Sequence, residues 1–240
     1  MSAPWGAREC SISITALPSI AYALIVVGGS WTPTLAGICV QGVIGVRKGI
    51  KELLQKYTRF KVGLRWYLAA LIPLVLALAG GFIYLALDGK APGCVPLTIE
   101  FWIILFLGTL LQGAGGEEIG WHGSLPRLME RFLPVKGALV LALFWDLWHI
   151  PLWFMEGKTG MDLLIYIIGF NVGIFSLAII MSWVYTHTKH SLIPMILLHY
   201  FFNFGMMLVS ERGLGLMPEV PLLLINRRRR THYCRSMARV

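Results

Sequence analysis

The feature that most limits what this chain can fold into is the recurrence of apolar stretches close to 20 residues long. They fall at about residues 11 to 29, 31 to 46, 66 to 87, 97 to 116, 135 to 154, 162 to 186 and 191 to 209. Roughly 20 apolar residues is what an α-helix needs to cross a hydrocarbon core of about 30 Å, and only a structure that satisfies its own backbone hydrogen bonds survives there. The pattern predicts an all-α, polytopic transmembrane bundle of seven spans. An eighth, 213 to 226, is short and interrupted by Pro218, Glu219 and Pro221. Composition agrees: 57% of residues are hydrophobic and 14% charged, against about 25% charged in a soluble domain. Too few charges remain to cover a water-exposed surface.

The charge that is present is clustered. Arg47, Lys48, Lys51, Lys56, Arg59, Lys61 and Arg65 face the single acid Glu52, and Arg227, Arg228, Arg229, Arg230, Arg235 and Arg239 crowd the end of a chain with net charge +9. Basic runs beside apolar helices are the mark of cytoplasmic loops on anionic lipid rather than of a nucleic-acid surface. The loops at 47 to 65, 122 to 136 and 187 to 190 are therefore expected inside and those at 88 to 96 and 155 to 161 outside. Residues 48 to 60 read as an amphipathic helix on the inner face, with Ile50, Leu53, Leu54 and Tyr57 on one side. Cys10, Cys39, Cys94 and Cys234 show no paired spacing, so neither a disulfide framework nor a zinc ribbon is indicated. The first apolar run lacks a convincing cleavage site and is read as a helix. A single domain over 1–240, with a basic cytoplasmic tail at 227–240, is the simplest organisation.

Ionisable groups inside a bilayer are expensive, and each is a functional hypothesis until a partner is found. Here they gather in three places: Glu117, Glu118 and His122 near the end of the fourth stretch, Asp146 and His149 in the fifth, and His199 with Asn203 in the seventh. Residues four apart share a helix face, which aligns Glu118 with His122, Trp145 with His149 and His199 with Asn203. A site shared by three helices is the least costly way to give them all polar company. Two imidazoles, a carboxylate and an amide contain the parts for hydrolysing an amide: a general base or a metal to activate water, and donors for an oxyanion. Neither an HExxH helix nor a GxSxG elbow is present.

Glu117-Glu118-Ile-Gly-Trp-His122, Trp145-Asp-Leu-Trp-His149 and His199-Tyr-Phe-Phe-Asn203 resemble, in order and spacing, the EExxxR, FxxxH and HxxxN/D motifs of the CPBP family of CAAX and bacteriocin-processing membrane proteases. The likeness covers residues 110–205 and extends to Trp31-Thr32-Pro33-Thr34 and Arg65-Trp66-Tyr67. It implies an intramembrane endopeptidase of a prokaryotic plasma membrane, acting on a membrane protein or lipidated peptide. Glu117 and His149 would activate water, and His199 and Asn203 would bind the substrate carbonyl or its oxyanion. Glu118, His122, Trp145 and Asp146 would support them; by its own position Asp146 reads either as a partner that orients His149 or as a pathway residue unrelated to catalysis. A divalent metal is compatible with these residues and not required by them. Two departures stand out: Trp145 replaces a phenylalanine, and His122 replaces an arginine, exchanging a permanent cation for a group that can be neutral.

Blander readings exist for each part. The glutamates could be solvated charges at a helix end, and His149 and His199 could each hold a neighbouring carbonyl. His187 and His190 read as loop residues, Asn171 as an interhelical hydrogen bonder, and most tryptophans as interfacial or packing residues. Three motifs in order outweigh these readings taken singly. The rival functions are prenylated-tail processing specifically, a non-catalytic immunity or scaffold protein that keeps the fold, and a transporter using Glu117 and Asp146 as a proton relay.

Overall fold

A computed structural model of the chain describes residues 26–88, 99–123, 132, 134–155 and 158–209. These residues form helices and no strand. In chain order they are α1 (Thr32–Tyr57), α2 (Leu64–Ala70), α3 (Ile72–Asp88), α4 (Ile99–Thr109), a π-turn (Leu110–Ala114), α5 (Gly115–Trp121), α6 (Pro134–Met155), α7 (Gly160–His187) and α8 (Ile193–Val209). The architecture is the all-α helical membrane bundle that the apolar stretches predict. Among the described residues three stretches, Leu64–Ile83, Pro134–Phe154 and Gly160–His187, are long and apolar enough to cross a membrane, and α8 is a shorter apolar helix. The first of these runs through α2 and α3. Pro73 has no N–H to offer, and the chain closes the joint by a short turn in which Leu71 N–H donates to Leu68 O at 3.1 Å. Val75, Leu76, Phe82 and Ile83 remain exposed on its outer face, as lipid-facing residues should.

Two expectations change. The stretch at 31 to 46 and the surface helix at 48 to 60 join into α1, which ends at Tyr57 and is not among the membrane-length stretches. A Cβ added at Gly49 would lie 2.6 Å from the Gln41 carbonyl oxygen, although eight residues of straight helix span about 12 Å. The helix therefore doubles back between Gln41 and Gly49. One end then reaches α5, with Pro33 at Gly120, and the other the turn just after it, with Leu53 at Gly123. Of the proposed apolar side only Leu53 is buried, while Ile50, Leu54 and Tyr57 are exposed. The stretch at 97 to 116 is likewise not one α-helix, because the π-turn divides it into α4 and α5. The segments at 213 to 226 and 227 to 240, and most of that at 11 to 29, lie outside the described residues.

Helix α8 is the hub, packing on α2, α3, α4, the π-turn, α5 and α7, while α1 packs mainly on α5 and α6 on α7. Small residues set the close approaches, as expected where lipid leaves packing as the main attraction between helices. Gly205 of α8 lies against Leu74 and Ala77, and Gly81 of α3 against Val209. Trp66, Ala142, Trp145, Ala178, Met181, Leu192, Met195 and Leu198 form the core between these helices. On the basic face, Lys56 Nζ donates to Gly123 O at 3.3 Å and Leu192 N–H to Lys56 O at 3.1 Å. Arg59 donates to Lys189 O and receives Ser191 Oγ–H on its carbonyl at 2.7 Å. This ties the end of α1 to the turn before α8, where Lys189 and His190 take left-handed φ values of 54° and 64°.

Candidate active site

The residues named from the three motifs come together where α5, α6 and α8 meet. Glu118 is wholly buried, and a buried carboxylate persists only if both oxygens find donors. They do: His122 Nδ1 lies 2.6 Å from Oε2 and His199 Nδ1 lies 2.8 Å from Oε1. The first pair is the one-turn alignment within the helix end, and the second bridges α5 to α8. His122 is itself fully buried, and among the described residues its Nε2 has no hydrogen-bond partner. Its ring sits 6.0 Å from that of Tyr185 and 6.5 Å from that of Trp145.

Glu117, one residue earlier, turns towards α6. Trp145 Nε1–H donates to its Oε2 at 2.8 Å, and Trp121 Nε1–H donates to the same oxygen at 3.2 Å. Trp145 is the centre of the constellation, with ring distances of 5.1 Å to His199 and 6.2 Å to His149. Counted along the helices, Trp145 stands about 17 Å from the start of α6, whereas Glu117 is about 6 Å from the end of α5. The groups share a level because α6 overhangs α5 by roughly 10 Å.

His149 Nδ1 lies 2.7 Å from the Trp145 carbonyl. A carbonyl can only accept, so the proton is assigned to Nδ1 and the Nε2 lone pair is left available. The orienting group for His149 is thus this carbonyl and not Asp146, whose Oδ1 is buried with no hydrogen-bond partner among the described residues. The one-turn spacing that suggested a carboxylate partner is met instead by the backbone. Phe170 of α7 packs on the other side of the His149 ring at 5.0 Å.

His199 and Asn203 lie one turn apart on α8, above Gly113 of the π-turn. A Cβ at residue 113 would stand 2.6 Å from Asn203 Nδ2 and 3.6 Å from His199 Nε2. Both polar groups therefore face the small space that a glycine leaves. Trp31 caps the same turn from outside, its Nε1–H donating to Leu111 O at 2.9 Å. Gly116 and Gly120 let α1 close over α5, since a Cβ at either would run into Ser30 and Trp31 or into Pro33. Asn171 donates to Ile167 O at 2.9 Å within α7, away from these residues and within its own helix rather than between helices. Sequence reasoning missed Trp121 and Gly113. The first carried a signal, because it lies four residues after Glu117; the second carried none without its partners on α8.

Among the described residues no three His, Cys, Asp or Glu side chains are grouped to hold a metal ion. Each oxygen of Glu118 already meets an imidazole, and the His149 Nδ1 is committed to a carbonyl.

Residues 99–205, which contain all three motifs, match the family model of type II CAAX prenyl endopeptidase Rce1-like proteins. The chain is also similar to the CAAX prenyl protease 2 of Methanococcus maripaludis, with 25% identity over 215 residues covering 83% of this chain and 77% of the relative. No solved structure matches it. The motif residues fall within the matched segment and on the apolar helices of an integral membrane protein, and both matches support the likeness to the CPBP family of CAAX-type proteases that the three motifs carry.

Proposed function

We propose that this protein is an endopeptidase that cleaves membrane-associated proteins carrying a prenylated CAAX tail, using water activated by Glu117 and His149. The observation that carries the reading is the convergence of Glu117, His199 and His149 around the Trp145 indole. Water held between the open oxygen of Glu117 and the His149 Nε2 loses a proton to the carboxylate as its oxygen bonds to the scissile carbonyl carbon. The carbonyl oxygen, now negative, is met by N–H groups of His199 Nε2 and Asn203 Nδ2 beside Gly113. For His199 to donate there it must carry protons on both nitrogens, and Glu118 supplies the countercharge. Collapse of the adduct breaks the C–N bond, and the leaving nitrogen takes the proton from Glu117. General-base assistance of this kind contributes about 10²- to 10⁴-fold.

The substrate class rests on the names of the matched family and relative, together with the exposed apolar outer faces of the helices that carry the site. Exposed Lys48, Lys51 and Arg65 supply positive charge for anionic lipid on the inner face. The archaeal relative supports a prokaryotic plasma membrane as the location. The test uses the full chain in liposomes with a prenylated CAAX peptide, the same peptide without the lipid, and a transmembrane peptide lacking the CAAX sequence. Cleavage of the first alone, abolished by Glu117→Gln and unchanged by chelator, is the expected result. Cleavage that persists in Glu117→Gln removes the assignment of the base, and preference for the third peptide removes the substrate class.

A further inference from the structure

We propose that Trp121 and Trp145 are positioning residues that clamp Glu117 by one oxygen and thereby dictate which oxygen takes the proton from water. The inference rests on the reading of Glu117 as the base. Both indole N–H groups donate to Oε2, at 3.2 Å from Trp121 and 2.8 Å from Trp145. An indole nitrogen donates only and does not titrate. Two such donors leave Oε2 no room for a proton, so a protonated Glu117 must carry it on Oε1. Among the described residues Oε1 has no hydrogen-bond partner, and Glu117 keeps 4% of its surface open. The oxygen left free is thus also the one that water can reach.

The clamp is braced. Trp145 is fully buried, and the Trp121 ring packs against those of Trp145 and Trp148 at 6.4 and 6.3 Å. Trp148 is in turn pinned to α1, its Nε1–H donating to Thr32 Oγ1 at 3.1 Å. Trp121 reaches Glu117 along its own helix and Trp145 reaches it from α6, so the carboxylate is held from two directions. The phenylalanine of the family's second motif has no N–H, so position 145 of this chain carries a donor that the motif lacks.

The experiment compares Trp145→Phe, Trp121→Phe and Trp148→Phe in the full chain, with kcat, KM, the pH profile of kcat/KM and thermal stability measured for each. A hydrogen bond to a charged group is worth roughly ten-fold or more in rate when lost. Trp145→Phe and Trp121→Phe should each lower kcat by about that factor with KM little changed. Each should also move the acid limb of the profile to higher pH, because the ionised carboxylate loses a donor. Glu118 and His199, the other charged groups acting on Glu117, are the same in all variants. Trp148→Phe, whose N–H goes to Thr32, should leave the acid limb in place whatever it does to stability. Trp121 is only half-buried and tolerates the change best, so its limb position decides if Trp145→Phe fails to fold. An unmoved limb in Trp121→Phe overturns the clamp. Activity surviving in Glu117→Gln would instead overturn the reading of Glu117 itself.

Discussion

Glu118 has no solvent and two oxygens, and each oxygen is given an imidazole, His122 on one side and His199 on the other. Removing a donor from a buried charge costs about 1.5 to 3 kcal/mol. His122→Leu is therefore expected to lower stability by about that amount, read by unfolding in detergent. Because His199 keeps its own bond to Glu118, the loss should exceed any change in KM. Asn203 contributes on the other side of the site. Asn203→Ala should lower kcat by about 10²- to 10³-fold, the effect of deleting one oxyanion donor, with stability nearly unchanged. At this scale the sequence was informative where spacing alone makes a pair, as for Glu118 with His122. It misled where the backbone could serve as well as a side chain, as for His149, which turns to the Trp145 carbonyl and leaves Asp146 aside.

The π-turn and the glycines around it govern how the elements meet. The turn interrupts the helix that carries both glutamates, and Gly113 within it meets Asn203 and His199 while Glu118, five residues on, meets His199. Five residues of regular α-helix turn through about 500°, about 140° off a shared face, so it is the length of the Glu118 side chain together with the turn that lets both positions reach His199. Gly113→Ala should cost at least ten-fold in kcat by filling the space beside Asn203 (roughly the loss of one hydrogen bond). Gly108→Ala, where an added Cβ meets nothing, should leave kcat unchanged and serves as the control. Gly120→Ala is a different case. Its Cβ would strike the Pro33 backbone, so the loss should appear in folding yield and thermal stability, as α1 is forced off α5. Hydropathy predicted a span at 97 to 116 but could not see the π-turn, because a π-turn changes hydrogen-bond register without changing composition.

For the whole molecule, the alternation of loop charge predicts which side each end faces. Lys51→Cys in α1 and Leu87→Cys near the end of α3, both exposed, should react with a membrane-impermeant thiol reagent from opposite sides, Lys51→Cys from the cytoplasm. Labelling of both from one side would reverse the charge-based topology. What the sequence determined by itself was the class: long apolar stretches have one solution in hydrocarbon, and polar residues spaced one turn apart on three of them announce a shared site. Those are local properties, carried by composition and by the 3.6-residue repeat. The tertiary structure alone decided that α1 doubles back so that its two ends close over α5 and the turn just after it, that Trp121 joins Trp145 on one oxygen of Glu117, and that an otherwise unremarked glycine opens the space facing His199 and Asn203. Each of these depends on which helix faces come into contact, and interhelical contacts in a bilayer are set by small-residue packing and hydrogen-bond satisfaction rather than by hydrophobic burial, which every apolar face satisfies equally well.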